Sequence, residues 1–146
     1  MEPKRILIVE DDSDPRLAYH ILLKVKGCET FFAKDPLSCL CEAHRHQPDL
    51  ILLDIGLAAG DGFRAMEQLK DFAHLGTIPI VIVSGRSPQE CEARALQCGA
   101  RAYLQKPIDQ NRLLAIVAQL TGESGESQEE GETNYMNARR QAEADT

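Results

Sequence analysis

The chain has 146 residues, of which 43% are hydrophobic, and its formal net charge is −7. This length is typical of one globular domain with a real hydrophobic core. No apolar run is long enough to span a bilayer, and the N-terminal stretch becomes acidic too soon for a secretory signal. We therefore expect a cytoplasmic protein, and the lack of a basic patch argues against direct binding to nucleic acid or to an anionic membrane.

The five cysteines are an odd number without the spacing of a small disulfide scaffold, which predicts reduced thiols. Cys39 and Cys41 lie two residues apart in a predicted helix, so their side chains point in different directions. We interpret them as packing thiols rather than as a metal or redox pair. The full set is Cys28, Cys39, Cys41, Cys91 and Cys98.

Short apolar runs recur along residues 4–120 and predict five strands. They cover residues 6–9, 30–33, 50–53, 78–83 and 102–104. Continuous apolar runs of this kind are typical of parallel strands that are covered on both faces.

Segments with helical spacing separate these runs and predict five helices. Capping residues are predicted at Asp14, Asp35, Ser87 and Asp109, the first three directly before a proline. Five strands alternating with five helices predict an α/β fold with a doubly wound parallel sheet. The apolar rows expected to face the core include Leu17, Ile21 and Val25; Leu37, Leu40 and Cys41; Phe63, Met66 and Leu69; and Leu113, Leu114, Ile116 and Val117.

The composition changes beyond residue 121. Residues 122–146 contain seven acidic residues against two arginines, and the run "GESGESQEEGET" is poor in apolar residues. Such a composition cannot bury enough apolar surface to order itself. We therefore predict a domain over residues 1–121 and an acidic, disordered tail over 122–146, in which "NYMNARRQAEA" could alternatively be a docking peptide.

Charged and hydroxyl side chains follow the predicted strands at their carboxyl ends. In a doubly wound sheet these ends meet at one edge, near the point where the strand order reverses. Like charges about 5 Å apart repel by about 3 kcal/mol at an effective dielectric near 20, so crowded carboxylates require a cation. The side chains are Glu10, Asp11 and Asp12 after the first strand, Asp54 after the third, Ser84 after the fourth and Lys106 after the fifth.

This combination of side chains is suited to phosphoryl chemistry on a metal ion. Oxygen ligands favour Mg²⁺, with Mn²⁺ as an alternative, and we expect Glu10 and Asp11 to hold the ion while Asp12 lies at the rim. An ammonium and a hydroxyl beside such an ion can contact the oxygens of a phosphoryl group. Asp54 could then act as the nucleophile and accept the phosphoryl group as an acyl phosphate.

Four segments in order resemble one family. "ILIVEDD", "PDLILLDIGLAAGDGF", "PIVIVSG" and "GARAYLQKP" stand in the order and approximate spacing of the receiver domains of two-component response regulators, including the chemotaxis regulators. The resemblance covers residues 4 to about 120. It implies a flavodoxin-like fold, in which a five-stranded doubly wound parallel sheet is flanked by five helices.

The resemblance also implies roles for the residues around the acceptor. Asp54 would be the phospho-acceptor and Asp11 a direct Mg²⁺ ligand. Glu10 would support the ion through water, and the backbone carbonyl of Gly56 would complete the protein ligands. Relatives usually have a bulky residue at Gly56 and a proline at Ala58, so the loop after the acceptor is looser here and the phosphorylation lifetime is expected to differ.

A second group of residues matches the switch of the same family. Lys106 would contact the phosphate, and Ser84 would be the hydroxyl that moves toward it after transfer. Tyr103 matches the aromatic residue that changes between outward and inward rotamers in relatives. The bond between Lys106 and Pro107 is expected to be cis, as it is in relatives.

We therefore predict a phosphorylation-controlled signalling switch without classical enzyme activity. It would receive its phosphoryl group from a histidine kinase or a histidine phosphotransfer protein. Its surface, formed by the fourth and fifth predicted helices and the fifth strand, would then bind a downstream target protein. Alternatives are a relay step, a receiver fragment of a hybrid kinase, and a pseudo-receiver that binds without phosphorylation.

Two other classes of protein share parts of this pattern. A phosphohydrolase of the haloacid dehalogenase type uses an aspartyl phosphate, but it needs a second aspartate at the position of Gly56. A flavodoxin-like cofactor binder needs a phosphate-binding loop after the first strand, where "EDDSDP" would repel a flavin phosphate. The sequence therefore favours the receiver.

Overall fold

A computed structural model describes residues 2–55 and 59–122 of the chain. The predictions for Gly56, Ala58 and the tail beyond residue 122 lie outside the described residues. Five parallel strands form one sheet in the order β2-β1-β3-β4-β5, which confirms the predicted doubly wound α/β architecture. The strands are β1 (Arg5–Val9), β2 (Glu29–Ala33), β3 (Leu50–Ile55), β4 (Ile80–Ser84) and β5 (Ala102–Gln105).

The described residues form six helices, one more than predicted. The additional helix has four residues and is too short to show an apolar period, although it buries Leu75. The fourth and fifth predicted helices are consequently α5 and α6. The helices are α1 (Ser13–Val25), α2 (Pro36–His46), α3 (Ala59–Lys70), α4 (Ala73–Gly76), α5 (Pro88–Gln97) and α6 (Gln110–Thr121).

The strand order reverses at β1, which lies between β2 and β3. Val9 and Leu53 are paired in register, so the residues that follow them, Glu10 and Asp54, lie side by side. β3 continues one residue beyond Asp54, because Ile55 still pairs with Ser84 of β4. The register therefore brings the predicted site residues to one edge, at the position where open α/β sheets bind ligands.

Two apolar layers cover the sheet, because alternate side chains of a strand point to opposite faces. One face packs against α2, α3, α4 and α5, and the other packs against α1 and α6. The rows predicted for α3 and α6 are buried, apart from the half-buried Leu114. The prediction that every strand is covered on both faces is wrong for β2, whose residues 29–32 are partly or fully exposed because it is an edge strand paired only with β1.

The predicted core row of α1 is wrong. Leu17, Ile21 and Val25 are 56%, 55% and 78% exposed, whereas Tyr19 and Leu23 are the buried residues of the helix. Both sets have four-residue spacing, so periodicity alone does not decide which one faces the sheet. The helix consequently exposes an apolar row and points a tyrosine inward.

The predicted row of α2 also needs correction. Leu37 and Cys41 are exposed and Leu40 is half-buried, whereas Cys39 and Ala43 face the core. The packing role is therefore correct for Cys39 and wrong for Cys41. Cys39, Cys41, Cys91 and Cys98 are free thiols, in agreement with the prediction for these four residues.

The helix caps in the structure agree in part with the caps predicted from the sequence. Asp35 and Asp109 cap α2 and α6 through their carboxylates, as predicted. Ser87 occupies the N-cap position of α5 without a side-chain hydrogen bond. The prediction for α1 is wrong, because Asp12 caps this helix by accepting a hydrogen bond from the backbone N–H of Asp14, at 3.1 Å. Within the described residues, no helix has the length and apolar character to cross a membrane.

Candidate functional site

A cleft opens over the carboxyl ends of β1 and β3. Its lining includes Glu10, Asp11, Asp12, Asp54 and Lys106, so the structure brings together all the charged residues predicted for the site. Glu10 and Asp54 are buried, whereas Asp11 and Asp12 are exposed at its rim. Lys34 and Asp35 also line the cleft, which therefore combines five carboxyl groups with two ammonium groups, of which Lys106 is the one paired with Asp54.

Asp54 is the central residue of this cleft, and its side chain is fully inaccessible to solvent. Its Oδ2 atom lies 2.8 Å from Nζ of Lys106 and accepts a hydrogen bond from the hydroxyl of Tyr19 at 3.0 Å. Its Oδ1 atom is buried and has no hydrogen-bond partner among the described residues. Leaving a buried acceptor unpaired costs about 1–3 kcal/mol, so this oxygen is suited to a ligand that binds in the cleft.

Glu10 lies beside Asp54 and has an unusual titration. Burial is the largest cause that raises the pKa of Glu10 to about 8, and the neighbouring carboxylate of Asp54 adds to it. The backbone N–H of Asp12 donates a hydrogen bond to Oε1 of Glu10 at 3.0 Å and opposes this shift. A cation in the cleft would favour the ionised carboxylate, because it would offset the charge of Asp54.

The residues present fit a magnesium ion that keeps much of its water. Within the described part of the chain, no three carboxylate, imidazole or thiol side chains already form a metal-ligand cluster. Mg²⁺ commonly binds one or two carboxylates and retains several waters, so it does not require such a cluster. The carboxylates of Asp54 and Asp11 both line the cleft, and they supply oxygen donors of the type that Mg²⁺ prefers.

Lys106 supplies the positive charge next to Asp54. Partial burial would lower the pKa of Lys106, but the hydrogen bond to Asp54 and the charges of Asp54, Glu10 and Asp12 outweigh this effect and raise it. The side chain therefore remains an ammonium group. The peptide bond between Lys106 and Pro107 is cis, as expected.

Ser84 and Tyr103 meet at the backbone of Arg86. Ser84 is fully buried at the end of β4, and its Oγ accepts a hydrogen bond from the N–H of Arg86 at 3.0 Å. Tyr103 is buried on β5, and its hydroxyl donates to the carbonyl oxygen of Arg86 at 2.9 Å. The two predicted switch residues therefore contact the same short segment after β4.

Comparison with known proteins identifies the family of this chain. Residues 6–118 match the family model described as the response regulator receiver domain. The chain belongs to this family. The receiver is 34% identical over 122 residues to the polar-differentiation response regulator DivK of Brucella anthropi. The aligned region covers 84% of this chain and 99% of the relative. DivK of Brucella ovis is 33% identical over 121 residues and covers 83% and 98% of the two chains.

Solved structures confirm the receiver fold. The receiver domain of a sensor histidine kinase from Pseudomonas aeruginosa is 26% identical to this chain. Its TM-score is 0.74, and the match covers 82% of this chain and 98% of the kinase domain. That structure has a magnesium ion coordinated in its active-site cleft. A receiver domain protein from Methanospirillum hungatei is also 26% identical, with a TM-score of 0.74 over 86% and 98% of the chains. The chain is therefore a receiver domain of two-component signalling.

Tyr19 is the residue of this receiver site that sequence reasoning missed. It lies 35 positions before Asp54 in the chain. The apolar row of Leu17, Ile21 and Val25 predicts that the opposite side of α1 is buried, and the structure shows that this row is exposed. The four-residue spacing of Tyr19 and Leu23 was the available signal. The hydroxyl reaches the cleft only because these two residues face the sheet.

The pKa of Glu10 predicts a pH-dependent stability. Between the ordinary value of 4.5 and the folded value of about 8, the folded receiver binds a proton that the unfolded chain lacks. The free energy of unfolding contributed by this group therefore falls as the pH rises through this window. In Glu10→Gln the side chain is always neutral, so without divalent metal we expect a Tm higher by roughly 2–5 °C at pH 9 and almost unchanged at pH 5.

Thermal unfolding in EDTA at both pH values measures this effect. Glu29→Gln, at an exposed position of β2, is the matched control and should show no such difference between the two pH values. An equal gain for Glu10→Gln at pH 5 and pH 9 would contradict the raised pKa as the cause.

Proposed function

We propose that this receiver accepts a phosphoryl group on Asp54 and changes its protein partners in response. The observation that carries the proposal is the unequal environment of the two carboxylate oxygens of Asp54. Oδ2 is paired with Lys106 and Tyr19, whereas Oδ1 is buried, unpaired among the described residues, and adjacent to the open cleft. An oxygen with free lone pairs beside an ammonium group is well placed to attack phosphorus.

We propose Mg²⁺ as the cofactor, with Mn²⁺ as an alternative that suits the same oxygen ligands. Asp11 and Asp54 would bind the ion directly and Glu10 through water; the carbonyl of Gly56, outside the described residues, would be the remaining protein ligand. The magnesium-bound receiver domain of Pseudomonas aeruginosa supports this assignment. The ion would neutralise the carboxylates so that an anionic phosphoryl donor can approach them.

The donor would be a histidine kinase or a histidine phosphotransfer protein, and we propose the exposed side of α1 as its docking surface. α1 begins directly after the acidic rim of the cleft, and Leu17, Ile21 and Val25 form an exposed apolar row along it. Burying such a row against a partner helix would stabilise the complex and place the donor histidine near the cleft.

The output would be a change of the surface formed by α5, β5 and α6, which binds a downstream target protein. Ser84 and Tyr103 both hydrogen-bond the backbone of Arg86, so a movement of the Ser84 hydroxyl toward a phosphoryl group would alter the contacts of Tyr103. Phosphorylation would thereby favour one of two existing conformations of this surface.

We further propose that residues 1–121 are the receiver domain, that residues 122–146 are an acidic tail, and that the protein acts in the cytoplasm. The family model ends at residue 118 and α6 ends at Thr121, which supports the boundary.

The test is phosphorylation of the purified protein by acetyl phosphate, followed by intact-mass spectrometry with and without Mg²⁺. We expect one phosphoryl adduct that forms only with Mg²⁺. Reduction with borohydride converts an aspartyl phosphate to homoserine, and peptide sequencing should find that residue at position 54. A folded protein without an adduct, or an adduct at Asp11 or Asp12, would overturn the proposal.

A further inference from the structure

Tyr19 is a second donor to the acceptor carboxylate. Its hydroxyl donates to Oδ2 of Asp54 at 3.0 Å, on the same oxygen that pairs with Lys106. Tyr19 is 7% exposed and packs in the apolar layer that also contains Ile8, Leu23 and Leu52. It therefore approaches the acceptor from α1, on the face of the sheet that packs against α1 and α6.

The hydroxyl of Tyr19 is a hydrogen-bond donor at neutral pH, because a tyrosine ordinarily loses its proton only at about pH 10. A phenol that keeps its proton can donate to the carboxylate but cannot repel it. The contact is therefore a hydrogen bond from the neutral hydroxyl of Tyr19 to the negatively charged carboxylate of Asp54.

The two donors on Oδ2 differ in their freedom to move. The Lys106 side chain is 37% exposed and has a flexible stem, so it can follow negative charge from the carboxylate to a bound phosphoryl group. The ring of Tyr19 is held by its apolar neighbours and has only two rotatable side-chain bonds. After phosphorylation on Oδ1, Tyr19 is consequently the donor that stays on the acyl oxygen Oδ2.

We propose that the hydroxyl of Tyr19 shortens the lifetime of the phosphorylated receiver by stabilising the Asp54 carboxylate as it leaves phosphorus. The inference rests on the proposed phosphorylation of Asp54. In dephosphorylation a water oxygen bonds to phosphorus, and the bond between phosphorus and Oδ1 breaks. The electron pair of that bond returns to the carboxylate, and the water proton passes to the released phosphate or to solvent.

The hydrogen bond of Tyr19 becomes stronger during this step. In the acyl phosphate Oδ2 is a neutral carbonyl oxygen, whereas in the loose transition state of phosphoryl transfer the leaving carboxylate already carries most of its charge. Hydrogen bonds to charged acceptors are roughly twice as strong as those to neutral ones. Removing the hydroxyl should therefore slow dephosphorylation about five-fold, equivalent to about 1 kcal/mol.

Formation of the acyl phosphate should depend much less on Tyr19. In the same loose transition state the attacking carboxylate has hardly begun to lose its charge, so its hydrogen bond is nearly as strong as in the free receiver. We expect the formation rate to change by less than about two-fold. If the receiver without the Tyr19 hydroxyl forms the acyl phosphate at the normal rate but loses it more slowly, the effect comes from this role and not from a general disturbance of the site.

The experiment compares wild type with Tyr19→Phe, which keeps the ring and removes only the hydroxyl. Each protein is phosphorylated with acetyl phosphate and Mg²⁺, freed of donor by desalting, and followed by intact mass until the adduct has decayed. We expect a lifetime about five-fold longer for Tyr19→Phe. Leu23→Val is the matched control, because it changes the packing of the same buried face of α1 without removing a donor, and it should decay like wild type.

A second variant tests the opposite direction. 3-Fluorotyrosine placed at position 19 is a stronger donor and should shorten the lifetime, which also covers the case in which Tyr19→Phe fails to fold. Equal lifetimes for wild type, Tyr19→Phe and the fluorinated protein would overturn the inference while leaving Asp54 as the acceptor. Absence of any adduct on the wild type would overturn the proposed function itself, and this inference with it.

Discussion

Asp54→Asn should abolish formation of the acyl phosphate. The amide has nearly the shape of the carboxylate, but it offers no anionic oxygen to attack phosphorus. We expect the rate of adduct formation from acetyl phosphate with Mg²⁺ to fall at least about 10³-fold, to the limit of detection by intact mass. The change also removes the charge that pairs with Lys106 at 2.8 Å, so no other group at the centre of the cleft replaces its function.

A matched variant separates this result from a general effect of losing an aspartate. Asp71→Asn lies at an exposed position after α3, away from the cleft lining, and should be phosphorylated like wild type. Both variants should be compared for folding by circular dichroism. An adduct of wild-type yield on folded Asp54→Asn would assign the acceptor role to another carboxylate and contradict the proposal.

Lys106→Met should slow phosphorylation by about 10²-fold, the second largest effect expected. Methionine retains the length of the side chain but removes the ammonium group that contacts Oδ2 of Asp54. That group offsets the carboxylate charge while an anionic donor approaches, and deletion of one such donor in a buried site typically costs 10²–10³ in rate. The measurement is the initial rate of adduct formation at saturating Mg²⁺ and acetyl phosphate.

Two further variants test whether the slower phosphorylation of Lys106→Met comes from losing the ammonium group beside Asp54. Lys26→Met, at an exposed position after α1, removes a lysine far from the cleft lining and should react like wild type. Lys106→Arg keeps the positive charge with a different shape and should recover part of the rate. A wild-type rate for folded Lys106→Met would show that the ion pair with Asp54 has no role in transfer.

The sequence alone determined the sheet and the charged residues of the site. The apolar runs are short and differ strongly from their surroundings, and the first and third runs are followed immediately by Glu10 and Asp54. Parallel strands in a doubly wound sheet must bring those ends together, so one topological rule converts positions in the chain into a cluster in space. The structure places Glu10, Asp54 and Lys106 at one cleft for this reason.

Only the tertiary structure decided which helix faces reach that cleft. Leu17 and Ile21 show the same four-residue spacing as Tyr19 and Leu23. Local periodicity therefore does not specify which side of α1 packs against the sheet. The hydrogen bond from Tyr19 to Asp54 joins residues 35 positions apart, and it exists because the packing of α1 rotates the tyrosine inward. A contact of this kind depends on the relative placement of whole elements, which no short stretch of sequence specifies.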